Sequence, residues 1–217
     1  MKQVGRCGMN IEKGEMEAGR VNVYVAEIPA DLKVGDVYPS LRDEEIKAVK
    51  NEALRREKYC VWKLLEYAIK HSFGKELSKI DFLKSDTGKW CCDLCEFSLS
   101  HAQNAVCVAV SLQPVGVDLE KIERTKTDVS AFVFSEKELK EYQDCKDEEK
   151  AAYLIAAWTK KESLFKLKNV KRLTREEFKR LDGEVGQKTL SLADGEYSLS
   201  VATDVPCSIC FYDADLN

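Results

Sequence analysis

The sequence predicts an α+β chain folded as two similar lobes, each a small, mostly antiparallel sheet packed with a long helix. Three observations carry this. Short runs with apolar residues at every second position alternate with longer runs whose apolar residues recur at spacings of three and four, the periods of a strand and of a helix. The order strand, long helix, strands occurs twice, in successive stretches of about 100 residues, an ordinary domain size. Apolar residues make up 44% of the 217, enough for a full core.

In the first lobe, residues 1–113, Val21, Val23 and Val25 alternate with Asn22, Tyr24 and Ala26, a strand over 20–28 that Pro29 ends. Residues 43–53 are charged and helix-favouring. Tyr59, Trp62, Leu65 and Ile69 mark one face of an amphipathic helix over 59–71, stopped by Gly74. Strands over 80–84 and 97–101 stand around the Thr87-Gly88 turn, an apolar strand covers 105–111, and Pro114 breaks the chain. The second lobe, residues 114–217, begins with a strand over 115–120 and a polar loop. Ser135 and Glu138 form a capping box for a helix over 135–143, and a longer helix covers 148–168. Strands follow at 189–192, 197–202 and 207–212, separated by turn signals at Asp194-Gly195 and Asp204.

The chemistry concentrates in Gly116-Val117-Asp118-Leu119-Glu120 and in Trp158-Thr159-Lys160-Lys161-Glu162-Ser163-Leu164-Phe165-Lys166. On a strand, Asp118 and Glu120 share a face while the apolar residues between them face the core. On such a polar face Asp118 is expected to contribute little to stability. On a helix, Glu162 and Lys166 share a face, which sets a third carboxylate beside a cation. Three hard oxygen ligands suit Mg²⁺, which keeps other positions for water and phosphate oxygens. Taken singly, each half also reads as a solvated strand face or a surface ion-pair ladder. The residues alone therefore reach a divalent-metal site with nearby cations and no further.

Together the two segments resemble the signatures of the 4′-phosphopantetheinyl transferase superfamily, G-[IV]-D-[IVL]-E and W-[ST]-x-K-E-[AS]-x-x-K, with Glu162 standing 42 positions after Glu120. Gly88-Lys89, Phe97-Ser98-Leu99-Ser100-His101 and Phe134-Ser135-Glu136-Lys137-Glu138 are similar to further elements of the family, and the likeness is closest to its longer, Sfp-type members. The resemblance implies a pseudo-dimer with the site between lobes of one chain. The reaction it implies is Mg²⁺-dependent, or Mn²⁺-dependent, transfer of phosphopantetheine from coenzyme A to a serine of an acyl or peptidyl carrier protein, with release of 3′,5′-ADP. Asp118, Glu120 and Glu162 would be the metal ligands. Glu162, directly or through a metal-bound water, would be the base, kept ionised by neighbouring Lys161 and Lys166, and Lys166 would stabilise the leaving phosphate. Ser100 and His101 would contact phosphate, the latter following its strand rather than lying within it. Lys47, Lys50 and Arg56 would hold the nucleotide end, and Lys89 the 3′-phosphate, with Lys161 a further coenzyme A contact. Phe132 and Val133 stand where many members carry a basic residue and offer an apolar contact for a carrier helix. No glycine occurs in 167–173, where Sfp-type members commonly have one. The alternatives are a different metal-dependent phosphotransferase, and an inactive member that binds coenzyme A or carrier protein as a regulator.

The net charge of −4 argues against a general nucleic-acid or anionic-membrane binder. No stretch approaches the roughly 20 apolar residues of a membrane helix, and no basic segment followed by an apolar run opens the chain, so a cytoplasmic monomer is expected. Cys92-Asp93-Leu94-Cys95 and Cys207-Ser208-Ile209-Cys210 have Cys-x-x-Cys spacing. Cys207 and Cys210 on a strand would face opposite sides, which disfavours zinc, and an odd count of nine cysteines in a cytoplasmic chain suggests reduced thiols. Exposed Cys91, Cys92 or Cys95 would remain open to oxidation.

Overall fold

A computed structural model describes residues 16–123 and 129–216. Part of the polar loop expected after Glu120 lies outside them. Strand β1 (Arg20–Glu27) follows the predicted alternation. The charged run over 43–53 is two elements, helix α1 (Ser40–Lys47) and the start of α2 (Glu52–Phe73). The break is local chemistry. Asn51 is extended and its side chain accepts the Leu54 N–H at 3.0 Å, capping a helix that starts a full turn and more before Tyr59. Gly74, at φ +65°, ends α2 in a left-handed turn, as predicted.

Next come β2 (Phe82–Lys84), β3 (Trp90–Cys92), β4 (Glu96–Ala102) and β5 (Ala105–Ser111). The Thr87-Gly88 turn joins β2 to β3 rather than to β4, with Gly88 at φ +87°. The second half contains β6 (Val115–Lys121), the short helix α3 (Ser130–Val133), α4 (Glu136–Asp144), α5 (Lys150–Lys168), α6 (Arg175–Lys179), β7 (Val185–Leu192), β8 (Gly195–Thr203) and β9 (Ser208–Asp213). The Ser135/Glu138 capping box starts α4 as predicted, and a second box, Thr174 with Glu177, starts α6, which the sequence reading omits.

The larger sheet has the order β4-β5-β1-β9, with β9 parallel to β1, so the last strand of the chain completes the sheet of the first half. The smaller main sheet, β6-β8-β7, is antiparallel. Together they make four layers. Tyr24, Val106, Val108 and Val110 face the apolar stripe of α2. Val21, Val23, Val25, Ala105, Cys107 and Ala109 face Val115, Val117, Leu119, Leu199 and Val201 of the second sheet. The other face of the second sheet carries α5. There Gly116 leaves no room for a side chain, since a Cβ would lie 1.9 Å from Ser163 O and 2.6 Å from Leu167 N. Thr159 adds bonds of 3.0 and 2.9 Å to Ser198 and Ser200, so small residues let the helix press onto the strands. The face of β6 that bears Asp118 and Glu120 is thus a helix-covered face.

Candidate active site

Where β4, β6 and α5 meet, a cleft of about 400 Å³ is lined by Leu99, Ser100 and His101, by Asp118 and Glu120, and by Trp158, Glu162 and Lys166. The edge of β6 is joined to β4 by side chains: Ser98 Oγ accepts the Val117 N–H at 3.0 Å and Ser100 Oγ accepts the Leu119 N–H at 3.2 Å. These serines occupy backbone groups that an edge strand would otherwise leave unpaired.

Asp118 is only 3% exposed, which corrects the expectation of a solvated strand residue with little weight in stability. Its Oδ1 accepts from Ser100 Oγ at 2.9 Å and Lys166 Nζ at 2.7 Å, while its Oδ2 is buried with no partner. Lys166 Nζ also donates toward Ser100 Oγ at 3.1 Å, Val117 O at 3.0 Å and Leu99 O at 3.3 Å. Its ammonium is turned to protein oxygens and clamps β4 to β6. Ser100 lies inside β4 and spends its hydroxyl on Asp118, so here it positions the carboxylate. His101 likewise lies within β4, not beyond it.

Burial, and after it the charge of Asp118, pushes Glu120 up to about 7, although Trp158 hydrogen-bonds to its carboxyl and Lys166 stands nearby. Glu162 is raised for the same two reasons, with Lys166 opposing. The lysines expected to keep Glu162 ionised do not bring its pKa below the ordinary value, because burial outweighs Lys166 and Lys161 points elsewhere. Lys161 is buried on the far side of α5, bonded to Val133 O, Glu138 Oε2 and Lys179 O at 2.7, 2.7 and 2.8 Å. Among the described residues no three His, Cys, Asp or Glu side chains are gathered tightly enough to cage an ion alone. The donor set nevertheless fits Mg²⁺: an orphaned buried carboxylate oxygen beside two mutually repelling carboxyls is what a cation retaining water and phosphate ligands would relieve.

His101 Nδ1 stands 2.8 Å from Glu57 Oε2, and burial holds the imidazole below its usual pKa even beside that carboxylate. Glu57 orients the ring. Sequence reasoning selected its neighbour Arg56, whose guanidinium instead bonds Pro29 O and Ala30 O at 2.7 and 2.9 Å and does not line the cleft. Lys47 bonds Asp36 and Asp43, and both it and Lys50 are exposed and line neither this cleft nor the adjoining one. That adjoining cleft, about 330 Å³, shares Leu99 and Lys166 with the first and adds Lys89, Arg42, Lys171, Trp90 and Phe97. Lys89 is held only loosely, 3.8 Å from Glu96. Arg42 and Lys171 carry no local signature and were missed, whereas Trp158 belongs to a motif whose acids and lysines drew the attention. Asn169, at φ +49°, makes the left-handed end of α5 where no glycine is present, and accepts from Thr87 Oγ1 at 2.6 Å. Val133 is fully buried and offers no docking surface, but Phe132 is 40% exposed and its ring lies 6.2 Å from that of Trp158.

A sequence model of the 4′-phosphopantetheinyl transferase superfamily matches residues 114–210, the stretch that holds all three acids and Lys166. The chain is 27% identical over 157 residues to 4′-phosphopantetheinyl transferase Sfp of Bacillus subtilis (strain 168), covering 70% of this chain and 66% of that protein. The likeness to that superfamily spans the second half of the chain. The chain is also 32% identical over 121 residues to 4′-phosphopantetheinyl transferase psf-1 of Bacillus pumilus, covering 55% of this chain and 48% of that protein. A further Bacillus subtilis 4′-phosphopantetheinyl transferase is 28% identical over 120 residues, 55% of this chain and 50% of that one. The chain thus spans between about half and two thirds of the length of these relatives. No described helix is long and apolar enough to cross a membrane.

Proposed function

We propose that this chain is an Sfp-type phosphopantetheinyl transferase that moves the phosphopantetheine group of coenzyme A onto a carrier-protein serine and releases 3′,5′-ADP. The observation that carries the reading is the convergence of Asp118, Glu120, Glu162, Lys166 and His101 on one cleft. Asp118, Glu120 and Glu162 would hold Mg²⁺, or Mn²⁺ in its place, which when bound supplies charge neutralisation on the pyrophosphate. Glu162, directly or through a metal-bound water, is the base for the serine hydroxyl proton. Lys166, on the border of both clefts, sets a positive charge beside the transferring and leaving phosphates while holding Asp118 in place. His101, fixed by Glu57, faces the same phosphates. The nucleotide end lies in the adjoining cleft against Lys89, Arg42 and Trp90, so residues 1–113 hold the nucleotide and residues 114–217 bring the acids. The exposed ring of Phe132 is the carrier contact. Because both clefts form within one chain, a cytoplasmic monomer suffices, without nucleic acid or membrane.

If Lys89 contacts the 3′-phosphate, Lys89→Ala should weaken coenzyme A by roughly tenfold and dephospho-coenzyme A far less, as expected of one charge-assisted contact. Calorimetric titration of both ligands measures this, and equal losses would leave Lys89 a structural lysine.

The acids set a second expectation. Glu120 rises from an ordinary 4.5 to about 7 on folding, so the folded metal-free protein holds a proton that the unfolded chain releases. Its contribution favours the fold at low pH and is lost as pH rises from about 4.5 through about 7. Mg²⁺ binds the deprotonated form, so the rise in Tm on adding Mg²⁺ should be small near pH 5.5 and larger near pH 8. A Mg²⁺ effect independent of pH would remove Glu120 from the ligand set.

A further inference from the structure

The turn between β3 and β4 carries a feature that the transfer reaction does not use. Cys92 Sγ and Cys95 Sγ stand 3.9 Å apart, and both are free thiols. They differ in access: Cys92 is partly exposed at the end of β3, whereas Cys95 is 8% exposed in the core against α2. Cys92 Sγ also lies 3.3 Å from Cys95 O, and hydrogen bonding with the backbone of Cys95 and Leu94 lowers its pKa. A neighbouring thiol donor at 3.9 Å favours a thiolate at that position. The Cys95 thiol, outweighing burial, holds Cys92 down to about 7, and the same contact drives Cys95 well above the usual thiol range. Cys91, on the opposite face of β3, is raised by burial and has only a 3.7 Å contact to Lys89 O.

We propose that Cys92 and Cys95 form a reactive dithiol that accepts low-molecular-weight disulfides and closes to an intramolecular disulfide. The Cys92 thiolate attacks one sulfur of R–S–S–R, forming a mixed disulfide and expelling RS⁻, which takes up the Cys95 proton. Cys95 sulfur then attacks Cys92 Sγ and expels the second RS⁻, protonated from solvent as Cys92's own proton was lost to it. Overall, two protein thiols are oxidised and one R–S–S–R is reduced to two RSH. The sequence leaves Cys92 and Cys95 open to oxidation, and here a chain turn rather than a strand sets their spacing and brings both sulfurs together.

The folded protein, treated with hydroxyethyl disulfide near neutral pH and quenched in acid, should lose two hydrogens in intact mass, with the bond mapping to Cys92 and Cys95. Cys95→Ser should instead accumulate one hydroxyethylthio adduct on Cys92. That adduct should form roughly fivefold faster than one on Cys145, the balance of a larger thiolate fraction and a weaker intrinsic nucleophile. Three results would overturn the proposal: wild-type protein that stops at the adduct, a bond that maps to Cys91, or Cys92 reacting no faster than Cys145. The wild-type result needs no variant to fold.

Discussion

Asp118→Asn should lower phosphopantetheine transfer by at least about a hundredfold, the scale of losing one preorganised electrostatic partner at a reacting phosphate. The amide is nearly isosteric and keeps an oxygen for Ser100 and Lys166, which sit 2.9 and 2.7 Å from Oδ1. What it loses is the negative charge and the lone pairs of the orphaned Oδ2. Lys166 then keeps its clamp with a neutral partner, which should cost about 1–3 kcal/mol of stability. Alanine is the poorer test. It would strand the Lys166 ammonium and the Ser100 hydroxyl at a site 3% exposed, and a lost fold would be mistaken for lost chemistry. The Asn variant should therefore unfold within several degrees of the parent, show no rise in Tm with Mg²⁺, and transfer almost nothing. Full Mg²⁺-dependent transfer by this variant would remove Asp118 from the site.

Gly116→Ala should be the most damaging single methyl group in the chain. A Cβ there would meet two backbone atoms of α5, Ser163 O at 1.9 Å and Leu167 N at 2.6 Å, and backbone cannot rotate aside as a side chain can. The helix must move off the sheet. Overpacking of this kind costs about 3 kcal/mol or more, a fall in Tm of roughly 10 °C for a chain of this size. The movement also carries Glu162 and Lys166 away from Asp118, so transfer should fall further than stability alone explains. Thermal unfolding and initial rates on the same preparation measure both. A variant within about 2 °C of the parent and fully active would mean that α5 does not lie against β6 as described.

These two residues show where sequence reasoning reaches and where it stops. The period of β6 told which residues share a face with Asp118, but not that a helix covers that face; burial follows from Gly116, Ser198 and Ser200, which admit α5 closely. The helix phase of Glu162 and Lys166 was legible for the same reason, since residues four apart share a face wherever the helix lies. Phase alone could not show that Lys166 is turned to backbone oxygens, nor that Lys161, one position before Glu162, is bonded to Glu138 on the other side. Local chemistry located the C-terminal end of α2 at Gly74 and the start of α4, where Ser135 and Glu138 act within one turn, but not the start of α2 at Asn51. The Lys-x-x-Lys spacing of Lys47 and Lys50 was misleading because exposed helices carry such pairs without a ligand. The partners of the site that come from afar left no local trace. Glu57 reaches His101 from α2, Arg42 reaches the adjoining cleft from α1, and β9 crosses the chain to pair with β1, all long-range outcomes of packing.

Phosphopantetheine transfer can be read directly from the mass of the acceptor. Purified protein, coenzyme A, Mg²⁺ and a set of unmodified acyl and peptidyl carrier proteins should yield carriers heavier by one phosphopantetheine group in intact mass, with the gain abolished by a chelator and restored by added Mg²⁺. Carriers of unchanged mass throughout, with coenzyme A bound by the protein under the same conditions, would contradict the assignment of transfer and leave a coenzyme A-binding protein.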